Sequence, residues 1–414
     1  MMNIIEGGIS APKGYYSAGI HSGVKRFKKD LSLIVSSTPA QAAGAFTQNV
    51  VRAAPVIWDE QIIKDQNTVY AILTNSGNAN ACTGEQGMTD CQLMAETTAE
   101  ALRKFLDASV TKEQVCICST GVIGVPLPMD TITSGIKTIT PLAATDATSA
   151  DDAARAILTT DTFKKEIAVE IMISGKPVRI AGIAKGSGMI HPNMATMLSL
   201  IVTDAHISHS LLQKYVGSSI QESYNMISVD GDTSTNDTVF VLANSASETP
   251  EILSGTPEAA TFEEAFDFVH TYLAKQIVRD GEGAGKFLEV TVSDAASKQD
   301  AKTIAKSIIT SNLVKTAFFG EDANWGRIFC AIGYSGVVFD PMKVSLQLKS
   351  EGGTVTLLQD GTPTHFDEQT AAQVLKEHDI KILVNMHSDE GHTATAWGCD
   401  LSYEYVRING EYRT

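Results

Sequence analysis

The stretch "HPNMATMLSLIV", residues 191–202, decides how this chain is read. A loop with proline and asparagine ends in small Ala195, meets Thr196 and runs directly into residues of the kind that fill a buried strand. Taken alone, such a junction is most often a strand start. The other reading is a bond that the protein cuts in itself. A hydroxyl is a poor nucleophile and needs a base within reach. A threonine freed at its amine carries that base at fixed distance, with an ordinary pKa of roughly 7.7–8.0 against about 10.4 for lysine. Cutting would proceed by attack of the Thr196 hydroxyl on the Ala195 carbonyl, giving an ester that water opens. Small Ala195 and the turn formers Pro192 and Asn193 suit the strained geometry which that attack requires.

At 414 residues the chain exceeds the size of one growing core, so two or three packed units are expected. Hydrophobic residues at 43% and charged residues at 19% are ordinary for a stable globular protein. A net charge of -16 repels phosphate backbones and anionic lipid, which leaves small molecules as the expected partners rather than nucleic acid or membrane. The first 20 residues lack a cationic and apolar leader, and no apolar run approaches bilayer length, so a cytoplasmic enzyme is expected. The six cysteines fit neither a zinc site nor a disulfide framework, and Cys116 and Cys118 share one strand face. All are expected to be buried, reduced thiols.

Strand-like runs from 69, 115, 198, 238, 287 and 400 alternate with helical patterns, which predicts layered sheets covered by helices. The helices are expected to begin at Thr89, with Gln92 completing a capping box, at Ser208 or Ser210, at Thr261, and near Asp300, the last ending by Leu313. The polar segment 141–152 reads as the weakest boundary.

Three glycine-rich segments can bring backbone N–H groups against an anion or oxyanion: "TNSGNANACTG" (74–84), "STGVIG" (119–124) and "KGSGMIHPNMAT" (185–196). Each could equally be a tight turn. "DGEGAGK" (280–286) imitates a phosphate loop, but its glycines are one residue too close and Phe287 stands where Ser or Thr should follow. Glu282 within it can face a bound ammonium, although a solvated loop acid is the usual case. His191 is close enough in sequence to serve as a base for Thr196, but a packed loop histidine is the commoner outcome. No HExxH or other metal spacing occurs, so no metal chemistry is expected, and no GxSxG elbow or known Cys–His signature marks a serine or cysteine nucleophile.

These motifs together resemble the ornithine acetyltransferase family, the bifunctional glutamate N-acetyltransferases / amino-acid acetyltransferases of arginine biosynthesis. "KGSGMIHPNMATML" is similar to the signature around that family's self-cleavage site. "TNSGNANACTG", "STGVIG", "TTDT", "DGEGAGK", "GEDANWGRI" and "INGEYRT" follow in family order over essentially the whole chain. The resemblance implies an α/β fold, a layered α-β-β-α sandwich of N-terminal-nucleophile-like type that cleaves itself into an α chain, 1–195, and a β chain, 196–414. It implies that Thr196 is the nucleophile released after Ala195 and that Thr120 and Gly121 stabilise the oxyanion. Thr162, Lys185, Glu282, Asn409 and Thr414 would contact substrate, with Thr160 the alternative to Thr162. Gly285 departs from the larger residue common at its place.

The implied reaction moves acetyl from N2-acetylornithine to Thr196 and then to glutamate. The implied assembly is two α and two β chains. No cofactor is expected; acetyl-CoA is allowed as a co-substrate, and the site residues do not settle whether it donates. An amidase or peptidase using the same threonine with water as acceptor is the competing enzyme reading. An uncut small-molecule-binding module is the non-enzymatic one.

Overall fold

The computed structural model describes residues 2–191 and 197–411. Ala195, Thr196 and Thr414 therefore lie outside the described residues.

One strand organises the sandwich. Leu31–Phe46 pairs through its first half with Tyr15–Ile20 and Val69–Asn78, and through its second half with Thr238–Ala243. Its register against Val69–Asn78 shifts between Val35 and Ala40. Pro39 lies in that irregular stretch, where the missing N–H breaks no ladder bond. The nine-stranded sheet therefore folds over on itself about this strand. Its order runs Asn3–Ile4, Lys165–Ile173, Lys176–Lys185, Leu198–Thr203, Thr238–Ala243, Leu31–Phe46, Val69–Asn78 and Val115–Val122, with Tyr15–Ile20 alongside Leu31–Phe46.

Side-chain alternation then sorts the layers. Ile183, Leu198, Leu200, Phe240 and Leu242 on one half meet Ile34, Ile72, Cys116 and Cys118 on the other in a single apolar cluster. On the outer face of the first half, Val169, Ile180, Ile201 and Val241 pack against helices His209–Glu222 and Pro257–Arg279. Leu33, Leu73 and Ile117 on the other outer face pack against Gly84–Leu106 and Met129–Ile139. This is the α-β-β-α order expected from the resemblance. A second sheet of seven strands, in which Phe287–Ala295 lies between Asp379–Asn385 and His392–Cys399, adds a further α/β layer. It shares an apolar cluster with Pro257–Arg279 and Lys298–Thr310.

Five of the six expected strands are present. The sixth is a helix, Tyr403–Glu411, in which Arg407 pairs with Glu404 and Glu411 at helical spacing. None of its residues is buried, so no apolar face reported its period. Two helix starts also fall earlier than expected. Gly84–Leu106 encloses Thr89, whose hydroxyl donates to Glu85 O rather than capping, and its first turn holds glycine and polar residues that carry no apolar period. Pro257–Arg279 is capped by Thr256, not Thr261, with Pro257 at the first helical position where its missing N–H is harmless. Ser208 caps His209–Glu222 as expected. The helix expected near Asp300 is Lys298–Thr310, capped by Ser297, and a separate helix, Asn312–Phe319, covers the remainder.

Segment 141–152 is no boundary, because it leads into helix Ala147–Ala156, whose Ala150, Ala153 and Ala154 fill the sandwich core. All six cysteines are free, but Cys82 and Cys330 are exposed, against expectation; both lie outside the cores that bury the other four. Among the described residues no helix is long and apolar enough to cross a membrane.

Candidate active site

The ends of three sandwich strands open onto one cavity of about 120 Å³. This is small beside the roughly 300–1,000 Å³ of drug-sized ligand sites and suits a small polar substrate. Its wall includes Thr120 and Gly121 at the end of Val115–Val122, Lys185 at the end of Lys176–Lys185, and Met197 and Leu198 where the next strand begins. Glu282 enters from the loop after Pro257–Arg279, and Tyr405 and Asn409 from helix Tyr403–Glu411, four residues apart on one helical face. The structure thus brings together Thr120, Gly121, Lys185, Glu282 and Asn409. Met197, which follows Thr196 in the chain, lines the same cavity.

The two charged ends differ. Lys185 Nζ donates to Thr120 Oγ1 at 3.3 Å. Burial pushes its ammonium below the ordinary lysine value, while Asp161 opposes that shift. A hydroxyl that accepts from lysine keeps its own hydrogen for the cavity. Glu282 is 7% exposed, so it is not the solvated loop acid that its glycine surroundings suggested. Its Oε2 accepts from Asn409 Nδ2 at 2.7 Å, and its backbone N–H donates to Ser187 O at 3.0 Å. A Cβ at Gly188 would lie 2.4 Å from Glu282 Oε2, so the bare Cα is what admits the carboxylate.

Behind the wall lies a buried ionic cluster. Lys165 Nζ donates to Asp161 Oδ1 at 2.6 Å and Asp280 Oδ2 at 2.5 Å, with all three side chains at most 1% exposed. Burial alone would raise the Asp161 carboxyl, but Lys165 and Lys185 outweigh it and hold it well below the usual range. Asp161 also accepts from Gly186 N and Thr159 N, so the cluster ties the "TTDT" loop to the Lys185 segment.

Thr162 is not on the cavity. It is exposed, and its backbone N–H and its hydroxyl are both taken by Asp280. Thr160 lines the wall instead, so the geometry favours the alternative. His191 lies 3.1 Å from Ser228 Oγ through Nδ1, and burial pushes its ring down to about 4, a packed loop residue rather than a poised base. Gly121 has φ +134°, and a Cβ there would fall 2.3 Å from Gly77 C. Any side chain at 121 therefore breaks the contact between two strand ends before it tests an oxyanion donor. Gly285 N donates to Asp400 Oδ1 at 2.8 Å, away from the cavity wall.

Sequence reasoning missed Asp230, Asn236 and Tyr405. Asp230 accepts from Met189 N at 2.6 Å, Ile190 N at 2.8 Å and Tyr405 OH at 3.3 Å. Met189 has φ +57°, an uncommon conformation for a side chain of its size. Burial raises the Asp230 carboxyl against the pull of its backbone N–H donors. The dense polar run "DGDTSTND", 230–237, was the available signal. Among the described residues no cluster of His, Cys, Asp and Glu could hold a metal.

A family model described as "ArgJ family" matches residues 16–414. The chain is 50% identical over 415 residues to an arginine biosynthesis bifunctional protein ArgJ of Caldanaerobacter subterraneus subsp. tengcongensis, covering 100% of each. It is 51% identical over 403 residues to ArgJ 1 of Clostridium acetobutylicum, covering 97% of this chain and 96% of that one. An ornithine acetyltransferase from Mycobacterium tuberculosis, solved with ornithine, is 36% identical with a TM-score of 0.44, covering 47% of this chain and 100% of that chain.

Proposed function

The chain belongs to the ArgJ family, and we propose that its cavity carries acetyl transfer by an N-terminal threonine. The enzyme transfers the acetyl group of N2-acetylornithine to glutamate, giving ornithine and N-acetylglutamate in arginine biosynthesis. The observation that carries the site reading is one small cavity with Thr120 and Gly121, buried Lys185 and Glu282 on its wall beside the residue that follows Thr196.

Self-cleavage between Ala195 and Thr196 frees the α-amine, which takes the proton as the hydroxyl attacks the acetyl carbonyl. Thr120 and Gly121 receive the oxyanion, where one donor is typically worth about 100- to 1,000-fold in rate. Lys185 holds the substrate carboxylate, and Glu282, fixed by Asn409, faces the ornithine side-chain ammonium. Ornithine leaves, glutamate enters, and its α-amine takes the acetyl group from the Thr196 ester. Thr160 and the C-terminal Thr414 complete the substrate contacts in this reading. The shared "bifunctional" name of the relatives supports acetyl-CoA as a second acetyl donor. The working form is two α and two β chains in the cytoplasm.

Initial-rate kinetics test the reaction. Parallel reciprocal plots for acetylornithine and glutamate are expected of a covalent acetyl-enzyme; intersecting lines would overturn it. Acetate released without glutamate at a rate comparable to transfer would make the enzyme an amidase.

A further inference from the structure

Asn236 lies in the polar loop entering Thr238–Ala243 and is 6% exposed on the cavity wall. Its Nδ2 spends both hydrogens on backbone carbonyls, Ala79 O at 2.6 Å and Ser119 O at 2.9 Å. Ala79 follows the end of Val69–Asn78, and Ser119 immediately precedes Thr120. Thr235 Oγ1 donates to Asn236 Oδ1 at 2.6 Å. A flipped amide would set its oxygen against two carbonyl oxygens, so the bonding fixes its orientation. Two residues on, Thr238 N donates to Met197 O at 2.9 Å. The segment 236–238 therefore touches the peptide entering Thr120 at one end and the residue after Thr196 at the other.

The Ser119 carbonyl belongs to the planar peptide that enters Thr120, so holding it fixes the backbone from which the Thr120 hydroxyl and the Gly121 N–H are presented. Oxyanion donors act only when placed about 2.7–3.1 Å from the developing charge, which makes that placement catalytically costly to lose.

We propose that Asn236 is a positioning residue for acetyl transfer, setting the Thr120–Gly121 pair in register with the strand that starts beside Thr196. This rests on the reading of Thr120 and Gly121 as oxyanion donors. Asn236 itself acts through the Ser119 peptide.

The test uses the purified full chain and its Asn236→Asp and Asn236→Ala variants. The cleaved fraction is measured by intact mass, and acetyl transfer is normalised to it. Asn236→Asp keeps the shape but turns an oxygen toward two carbonyls. It is expected to lower the melting temperature while leaving the chain folded at the assay temperature, and to lower kcat about 100-fold with KM for acetylornithine and glutamate within about threefold of wild type. A kcat within about threefold of wild type, or a loss confined to KM, would overturn the positioning role. If neither variant folds, the amide is a folding determinant and the role is likewise overturned. An inactive wild type would overturn acetyl transfer itself, whereas an active wild type with an equally active Asn236→Asp would overturn only this proposal.

Discussion

Asn409 Nδ2 donates to Glu282 Oε2 at 2.7 Å, so a helix without a single buried residue is fastened to the acidic wall of the cavity. The Glu282 main chain is anchored by its own N–H bond to Ser187 O. With its backbone anchored and Oε2 held by Asn409, the carboxylate presents its other oxygen to the cavity, and hydrogen bonds to a charged group are worth roughly 1.5–3 kcal/mol. Glu282→Gln is expected to raise KM for acetylornithine about tenfold or more. Glutamate carries a carboxylate where ornithine carries its side-chain ammonium, so its KM should stay level or fall. Separate saturation curves for the two substrates check this; an equal rise in both would remove Glu282 from ammonium recognition.

Gly188→Ala approaches the same carboxylate from beneath. The new Cβ would stand 2.4 Å from Glu282 Oε2, and the far end of a side chain gives way more easily than backbone. The variant should fold, melt within a few degrees of wild type and show the raised acetylornithine KM of Glu282→Gln. A normal KM would show that Glu282 reaches the substrate from its displaced position.

Thr196→Ala removes the nucleophile of both proposed steps. One chain of full mass and no acetyl transfer is the expected outcome, read by denaturing mass spectrometry and a glutamate-acetylation assay. An uncut yet active variant would move the nucleophile elsewhere.

Lys165→Met leaves Asp161 and Asp280 as buried carboxylates without their shared cation. Breaking a buried pair in this way typically costs 3–5 kcal/mol. The loss should be larger at pH 8 than at pH 5, because a carboxyl deprived of Lys165 escapes part of the penalty by binding a proton. Urea denaturation at the two pH values measures it; a loss independent of pH would mean that the carboxyls stay ionised without Lys165.

Layering and most strands were legible because short aliphatic, β-branched runs such as "LSLIV", which is buried along its whole length, state a strand covered on both faces. In the site, the glycine loops by themselves marked only segments able to donate backbone N–H groups, and the family resemblance singled out Thr120, Gly121 and Lys185 within them. What the chain did not disclose shares one physical trait, dependence on distant partners. Asn236 bonds to residues 157 and 117 positions away. Thr162 looks like Thr160 until Asp280, 118 residues on, takes its hydroxyl. Helix Tyr403–Glu411 buries nothing, so it wrote no apolar period for a reader to find.

His270 gives the pH dependence its sharpest expectation. Its ring is fully buried between Phe266 and Tyr224, and neither ring nitrogen has a hydrogen-bond partner among the described residues. Burial pushes its pKa down to about 3, from about 6.5 in an unfolded chain. Between those values the unfolded chain binds the proton and the folded one does not, so stability falls as pH drops from about 6.5 toward 3. The loss should be on the order of a few kcal/mol by the bottom of that window. His270→Met fills similar space without a titrating group, and should flatten this part of the curve while leaving stability at pH 8 equal or higher. Denaturant midpoints of wild type and variant from pH 4 to pH 8 decide it. Parallel curves would assign the acid sensitivity to other groups.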